Sequence, residues 1–194
     1  DGFFVLPYTI QNYLADQITV PRFSTELPEF AEAEKAVQAR IDHLMGIKGK
    51  KSVDSIHKEL GHIMWEYVGM GRTEEGLKTA LKLLKDIRKE FETNLFIPGS
   101  TEGVNIELEK ALRLNDFITM GELIAYDALN RNESCGGHFR EEYQTEEGEA
   151  KRDDENYFYV SCWEYQGSDD VAPVLYKEPL VYEAIKVQTR NYKS

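Results

Sequence analysis

The chain has 194 residues, is 41% hydrophobic and 11% aromatic, and carries a formal charge of −12. That is enough apolar material for one core with an appendage, and an acidic balance argues against nucleic acid as a partner. Cys135 and Cys162 make neither a disulfide framework nor a zinc spacing, no apolar run reaches bilayer length, and no signal peptide is visible.

The opening is strongly apolar. Phe3, Phe4, Val5, Leu6, Tyr8, Ile10, Tyr13 and Leu14 crowd into the first turns and predict a helix within Asp1–Ile18, a docked terminal helix or the edge of a longer polypeptide. Val20–Pro28 is a connector, with Pro21 and Pro28 around Ser24 and Thr25. A helix is expected from about Glu29 to Met45, with Phe30, Ala33, Val37, Ile41, Leu44 and Met45 on one face and Gly46 as its stop. Lys48-Gly-Lys-Lys51 predicts a solvated turn.

Ser52 is a plausible N-cap for a helix ending at Val68, with Val53, Ile56, Leu60, Ile63, Met64 and Tyr67 at helical spacing. Gly69 and Gly71 break it. Thr73 caps the next helix, whose stripe is Leu77, Ala80, Leu81, Leu84, Ile87 and Phe91, and Phe96-Ile-Pro-Gly ends it. The longest helix runs from about Val104 to Asn130, roughly 40 Å. Its second half is apolar on most sides (Phe117, Ile118, Met120, Leu123, Ile124, Ala125, Ala128, Leu129), which predicts burial on several faces. Gly136-Gly137 turns the chain away from helical space, and at least one of the two should have positive φ. Tyr157–Tyr165 and Val174–Val181 read as a β-hairpin around Gly167-Ser-Asp-Asp. The fold class is mainly α: an antiparallel three- to four-helix bundle, spectrin-repeat-like, with a C-terminal β-hairpin tail. The expected parts are a terminal helix at 1–20, a bundle at 21–133 and a loop-and-hairpin tail at 134–194.

Few residues offer chemistry. His57 and His62 lie five apart, where a helical metal pair needs four. His43 reads as a surface residue. No Gly-rich loop links a strand to a helix, so no dinucleotide site is expected. Glu122, midway along the apolar helix, calls for a structural partner, a helix end or an Arg. Cys135 is read as an inert buried thiol rather than one activated by Arg131 or Arg140, and both cysteines are expected to be reduced. His138, after the paired glycines, reads as a structural pin for its loop rather than a catalytic group.

The densest pattern is Arg131-Asn-Glu-Ser-Cys-Gly-Gly-His-Phe-Arg-Glu-Glu-Tyr143, followed by Arg152-Asp-Asp-Glu-Asn-Tyr157. It resembles the C-terminal region of the flavoprotein subunit of succinate dehydrogenase and fumarate reductase, whose blocks are Arg-x-Glu-Ser-Arg-Gly-Ala-His-x-Arg-x-Asp-Tyr-Pro and Arg-Asp-Asp-Glu-Asn-Trp. Arg131, Glu133, Ser134, Gly136, His138, Arg140 and Tyr143 match the first block. Arg152, Asp153, Asp154, Glu155 and Asn156 match the second. Cys135, Gly137, Glu142, Gln144 and Tyr157 depart from it. Upstream, Met64 to Leu77 is similar to the family's Met-x-x-x-Val-Gly-x-x-Arg-x-x-x-x-Leu. L-aspartate oxidase shares much of the first block and stays open as an alternative, as does a stand-alone acidic helical interaction module.

The resemblance implies a piece of a larger oxidoreductase. The family subunit holds FAD, interconverts succinate and fumarate by hydride transfer to flavin N5, and passes electrons to an iron–sulfur subunit. None of its flavin or substrate motifs is in this sequence, so no cofactor, metal or catalytic residue is expected in this stretch, with FAD in the parent subunit. Arg131, Glu133, Ser134, Gly136, Gly137, His138, Arg140, Arg152, Asp153 and Asp154 are implied as structural or interface residues. The implied partners are an FAD-binding domain of the same chain and an iron–sulfur subunit, at the inner, cytoplasmic face of a cell membrane. Self-pairing of the fragment through its apolar N-terminal segment is a further expectation.

Overall fold

The structure is a computed structural model and describes residues 2–168 and 171–188. It divides into two compact units, Asp1–His43 and Leu44–Ser194.

In the first unit, α1 (Val5–Tyr13) is followed by a single 3₁₀ turn, Ala15–Gln17. Its apolar side chains are open to solvent, Phe3 at 79% and Tyr13 at 81% exposure. Helix α2 (Pro28–Ile47) starts with proline at its first position, where the missing N–H is one the helix could not use. Phe30 and Val37 of its apolar stripe are exposed, and of the whole helix only Leu44 is buried. The helix runs past Gly46, and Lys48 takes the left-handed turn instead, with φ 48°. Gly49 is needed for another reason.

A Cβ on Gly49 would lie 2.1 Å from the carbonyl of Asn94. Its absence lets the backbone press close, so that Gly49 N–H donates to Leu95 O (2.7 Å) and Lys50 N–H to Asn94 O (2.9 Å). Strands β1 (Lys51–Ser52) and β2 (Leu95–Phe96) continue this contact as a short parallel ladder. The solvated turn expected at Lys48–Lys51 is therefore a paired segment that joins the start of α3 to the end of α4. Two-residue strands carry no periodicity, so the pattern was invisible.

Helices α3 (Val53–Val68), α4 (Glu74–Asn94) and α5 (Ile106–Asn130) pack on one another pairwise. Each begins on a side-chain cap: Ser52 accepts from Ser55 N–H, Thr73 from Gly76 N–H and Asn105 from Leu108 N–H. Ile56 and Leu60, Leu77, Ala80, Leu84 and Phe91, and Ala111, Leu114, Ile118 and Ala125 form the core. Each larger member contributes about 1.5–3 kcal/mol by leaving water. Gly121 sits where the three helices meet, since a Cβ there would reach Met64 Sδ at 3.1 Å and touch Leu60 and Leu84. Arg88 bridges α4 to Glu122 of α5 (Nε–Oε1 3.1 Å), the structural partner expected for that carboxylate.

Helix α5 departs from expectation on one side. Ile118, Gly121, Ala125 and Ala128 are buried, whereas Phe117, Met120, Leu123 and Ile124 are 38–56% exposed. Two neighbouring helices cover one stripe of a cylinder, not its whole girth.

After α5 the chain makes irregular loops and a single helical turn, α6 (Asp154–Tyr157), capped by Asp153. Strands β3 (Tyr159–Glu164) and β4 (Val174–Pro179) then form the expected antiparallel hairpin, with Tyr159 opposite Pro179 and Glu164 opposite Val174. Tyr159, Ser161 and Trp163 point inward by alternation. Trp163 fixes the hairpin to α5: Nε1 donates to Asp127 (2.7 Å) and the ring stands edge-on to Tyr126 at 5.0 Å.

Candidate functional site

Arg131–Tyr157 gathers the helix ends of the second unit. The last turn of α5 leaves carbonyls with no partner inside the helix. Arg140 fills that role from ten residues downstream. Its side chain is 1% exposed, and Nη1 donates to Ala128 O (3.1 Å) and Leu129 O (3.4 Å). A fixed cation at a helix C-terminus also meets the negative end of the dipole. The remaining face of the guanidinium is covered by Tyr143, 5.5 Å away, and Nε donates to Glu142 (3.1 Å).

Glu142 carries the connection onward. Its second oxygen accepts from Glu74 N–H (2.6 Å), in the first turn of α4. Burial works against its charge, but the Glu74 N–H and the Arg140 guanidinium hold its carboxyl below the usual carboxylate range. One ion pair therefore links the C-terminus of α5 to the N-terminus of α4.

Ser134 is fully buried beside it. Its Oγ accepts from Arg140 N–H (2.8 Å) and donates to Arg140 O (3.1 Å), and its own N–H donates to Lys151 O (2.9 Å). Glu133, 2% exposed, accepts from Arg131 Nε (2.8 Å) with one oxygen and from Asp153 N–H (2.9 Å) with the other. Arg131 reaches the hairpin, donating from Nη2 to Tyr157 O (2.5 Å) and lying against the rings of Tyr157 and Tyr159.

Between Ser134 and Arg140 the chain reverses. Cys135 and His138 exchange two backbone hydrogen bonds, 2.8 and 3.1 Å, around Gly136 and Gly137. Gly136 takes φ +58°, as the first central residue of such a two-residue reversal requires, and Gly137 keeps an ordinary φ. Cys135 is exposed, which corrects the expected buried thiol. In this extended run side chains alternate, and Ser134 is the one that faces inward.

His138 joins the third helix end. Its Nδ1 is 2.9 Å from Arg72 Nη1, and its Nε2 is 2.9 Å from Arg131 O. Guanidinium can only donate and a carbonyl can only accept, so Nδ1 is the lone pair and Nε2 carries the hydrogen. The ring is neutral. Burial pushes its pKa down, against the Arg131 carbonyl, and Arg72, Arg140 and Arg131 push it further down. Arg72 itself caps α3, donating from Nε to Val68 O (3.0 Å) and Gly69 O (3.2 Å). Its backbone pairs with the loop on both sides, through Phe139 O and Glu141 N–H.

Of the residues singled out from sequence, Arg131, Glu133, Ser134, Gly136, His138, Arg140 and Asp153 meet in this clamp. Arg152 and Asp154 form a separate, more exposed pair at 2.6 Å, and Gly137 lies in the reversal with an ordinary φ and open space around it. Arg72 and Glu142 are full members that the sequence reading did not single out as site residues. Arg72 lay in the upstream block, in the fixed arginine position after two glycines, which is the signal that could have flagged it.

Each guanidinium of the clamp donates to carbonyls, carboxylates or His138. Two shallow clefts lie on the surface of the described residues. One, of about 520 Å³, is lined by Glu74, Glu75, Glu142, Lys78, Thr79 and Lys82. The other, of about 460 Å³, lies among Asn130, Asn132, Asp153, Tyr157, Tyr159 and Lys177. Neither of these two clefts places a helix N-terminus and a glycine-rich loop together. Among the described residues no group of acidic, His and Cys side chains could hold a metal ion, and no helix is long and apolar enough to cross a membrane.

Residues 57–192 match the family described as fumarate reductase flavoprotein C-term. Among similar proteins, an uncharacterized FAD-dependent oxidoreductase of Methanocaldococcus jannaschii is 31% identical over 112 residues, 58% of this chain and 20% of that protein. A chloroplastic L-aspartate oxidase of Nicotiana tabacum is 37% identical over 88 residues, 45% of this chain and 13% of that one. Among solved structures, an E. coli quinol fumarate reductase chain shares the fold with a TM-score of 0.67 at 21% identity, over 88% of this chain and 28% of that one. The chain thus spans less than a third of the length of each of these proteins.

Proposed function

The chain belongs to the family of fumarate reductase flavoprotein C-terminal domains, and on that premise we propose that it is the C-terminal helical part of a flavoprotein subunit that interconverts succinate and fumarate. In this reading an FAD-binding domain in the same polypeptide carries the flavin and the substrate residues. Electrons leave through an iron–sulfur subunit, peripheral to the inner face of the cell membrane. The role of the helical part is mechanical. It buttresses the flavin domain and presents surface to the iron–sulfur subunit. One observation carries this mechanical role. Arg131, Glu133, His138 and Arg140 of the resembling motif are engaged in tying helix ends to the loop and line neither cleft, while Tyr143, Asp153 and Asn156 of the same motif border the second. The apolar face of α1 is the surface assigned to the flavin domain, and in isolation it would pair with a second copy.

The test compares the 194-residue chain with the complete polypeptide. The chain alone should purify without flavin absorbance and should not reduce fumarate. The complete polypeptide should hold FAD and turn over. Stoichiometric flavin or turnover in the chain alone would overturn the reading. The identity to an L-aspartate oxidase favours a second reading, in which the parent oxidises L-aspartate. Activity of the complete polypeptide on L-aspartate but not on succinate would select it.

A further inference from the structure

His138 is the one titratable group of the clamp whose two bonds require the neutral state. Nδ1 accepts from Arg72, at the end of α3, and Nε2 donates to Arg131 O, at the end of α5. Two backbone bonds flank this contact, Arg72 N–H to Phe139 O (3.0 Å) and Glu141 N–H to Arg72 O (2.8 Å). We propose that His138 is an acid-sensitive latch, which ties the end of α3 to the Arg131–Tyr157 loop when neutral and releases it when protonated.

The argument is one of geometry and charge. A proton on Nδ1 removes the lone pair that Arg72 donates to and sets an imidazolium against a guanidinium at hydrogen-bond distance. Arg140 and Arg131 add two more positive charges near the ring. The surrounding carboxylates are committed elsewhere. Glu133 binds Arg131 and Asp153 N–H, Glu142 binds Arg140 and Glu74 N–H, and Asp127 accepts from Trp163 while facing Arg72 and Arg131. Glu141 pairs with Arg72 through its backbone, and its carboxylate lies beside Gly71 rather than on the His138 ring. Among the described residues no carboxylate is bonded to the His138 ring to receive its charge. The lowered pKa agrees: the folded chain takes up this proton less readily than the unfolded chain. The latch's stability is complete above the free imidazole value of about 6.5 and is lost as pH falls below it toward the lowered folded value.

The experiment follows the 194-residue chain and its H138Q variant between neutral and mildly acid pH. Glutamine can donate and accept but does not titrate. In the parent, the His138 ring signal in NMR should titrate below the free imidazole value. Hydrogen-exchange protection of the Arg72 and Glu141 amides, corrected for intrinsic rates, should fall several-fold on acidification while that of Leu84 in α4 holds. H138Q should show no such selective loss. A ring that titrates at or above the free value overturns the latch. So does protection at Arg72 and Glu141 that is unchanged with pH, or an equal loss in H138Q. If H138Q does not fold, the parent's titration and exchange still decide.

Discussion

Replacing Arg140 with alanine should remove more stability than any other single change in the Arg131–Tyr157 region. The side chain is 1% exposed and makes charge-assisted hydrogen bonds to Ala128 O and Glu142, a longer one to Leu129 O, and a face contact with Tyr143. A hydrogen bond to a charged group is worth about 1.5–3 kcal/mol, and breaking a buried ion pair from one side costs about 3–5 kcal/mol. The terms do not add in full here. Glu142 keeps the Glu74 N–H and is 40% exposed, so water can reach part of its charge. The α5 carbonyls, by contrast, lose their only side-chain donor of the clamp. The expected loss is about 3–5 kcal/mol, a large share of the ~5–15 kcal/mol that holds a domain together. Urea unfolding followed by circular dichroism measures it, with Arg140→Lys as the milder variant, expected to recover part of the loss by keeping the charge without the fork. If Arg140→Ala unfolds within about 1 kcal/mol of the parent, the guanidinium is not what holds the helix ends together.

Gly136→Val should cost about 1–3 kcal/mol because a β-branched residue must take φ +58°, while Gly137→Val, with open space and an ordinary φ, should stay within about 0.5 kcal/mol. Equal melting of the two variants would show that the reversal is unstrained. Gly49→Ala should separate β1 from β2 through its collision with the Asn94 backbone, at about 2–3 kcal/mol, seen as lost exchange protection of the Lys50 amide. Trp163→Phe keeps a ring against Tyr126 but loses the bond to Asp127; a loss of about 1–2 kcal/mol is expected, with the hairpin amides opening first.

What the sequence revealed and what it hid follow the range of the interactions. The starts of α3 and α4 are local events, written by Ser52 and Thr73 as side-chain caps, and both fall where expected. The hairpin and the left-handed Gly136 are equally local. The Arg88–Glu122 bridge is legible in kind, because a polar group amid apolar neighbours needs a partner, but local pattern does not name that partner. Arg72 and His138 lie 66 residues apart, and no periodicity connects them. The resemblance supplied a set of residues whose mutual contacts only the structure gives. It put Arg152 and Asp154 beside Arg140 in importance, though they form a peripheral pair. The exposed side of α5 is hidden from sequence for a different reason: composition reports how apolar a helix is, not how many neighbours it has.

The clamp has a consequence for the order of events during synthesis. Its parts come from the ends of α3, α4 and α5, yet Arg131, His138, Arg140 and Glu142 follow all three helices in the chain. On a ribosome the bundle emerges with the C-terminus of α5 uncapped and the end of α3 lacking its His138 tie. It must wait for the loop that secures both. Closing contacts between residues so far apart is slow compared with forming helices. A nascent chain held with Asn130 just clear of the exit tunnel should therefore show three formed but loosely joined helices, and emergence of Arg140 should be the step at which they become one cooperative unit.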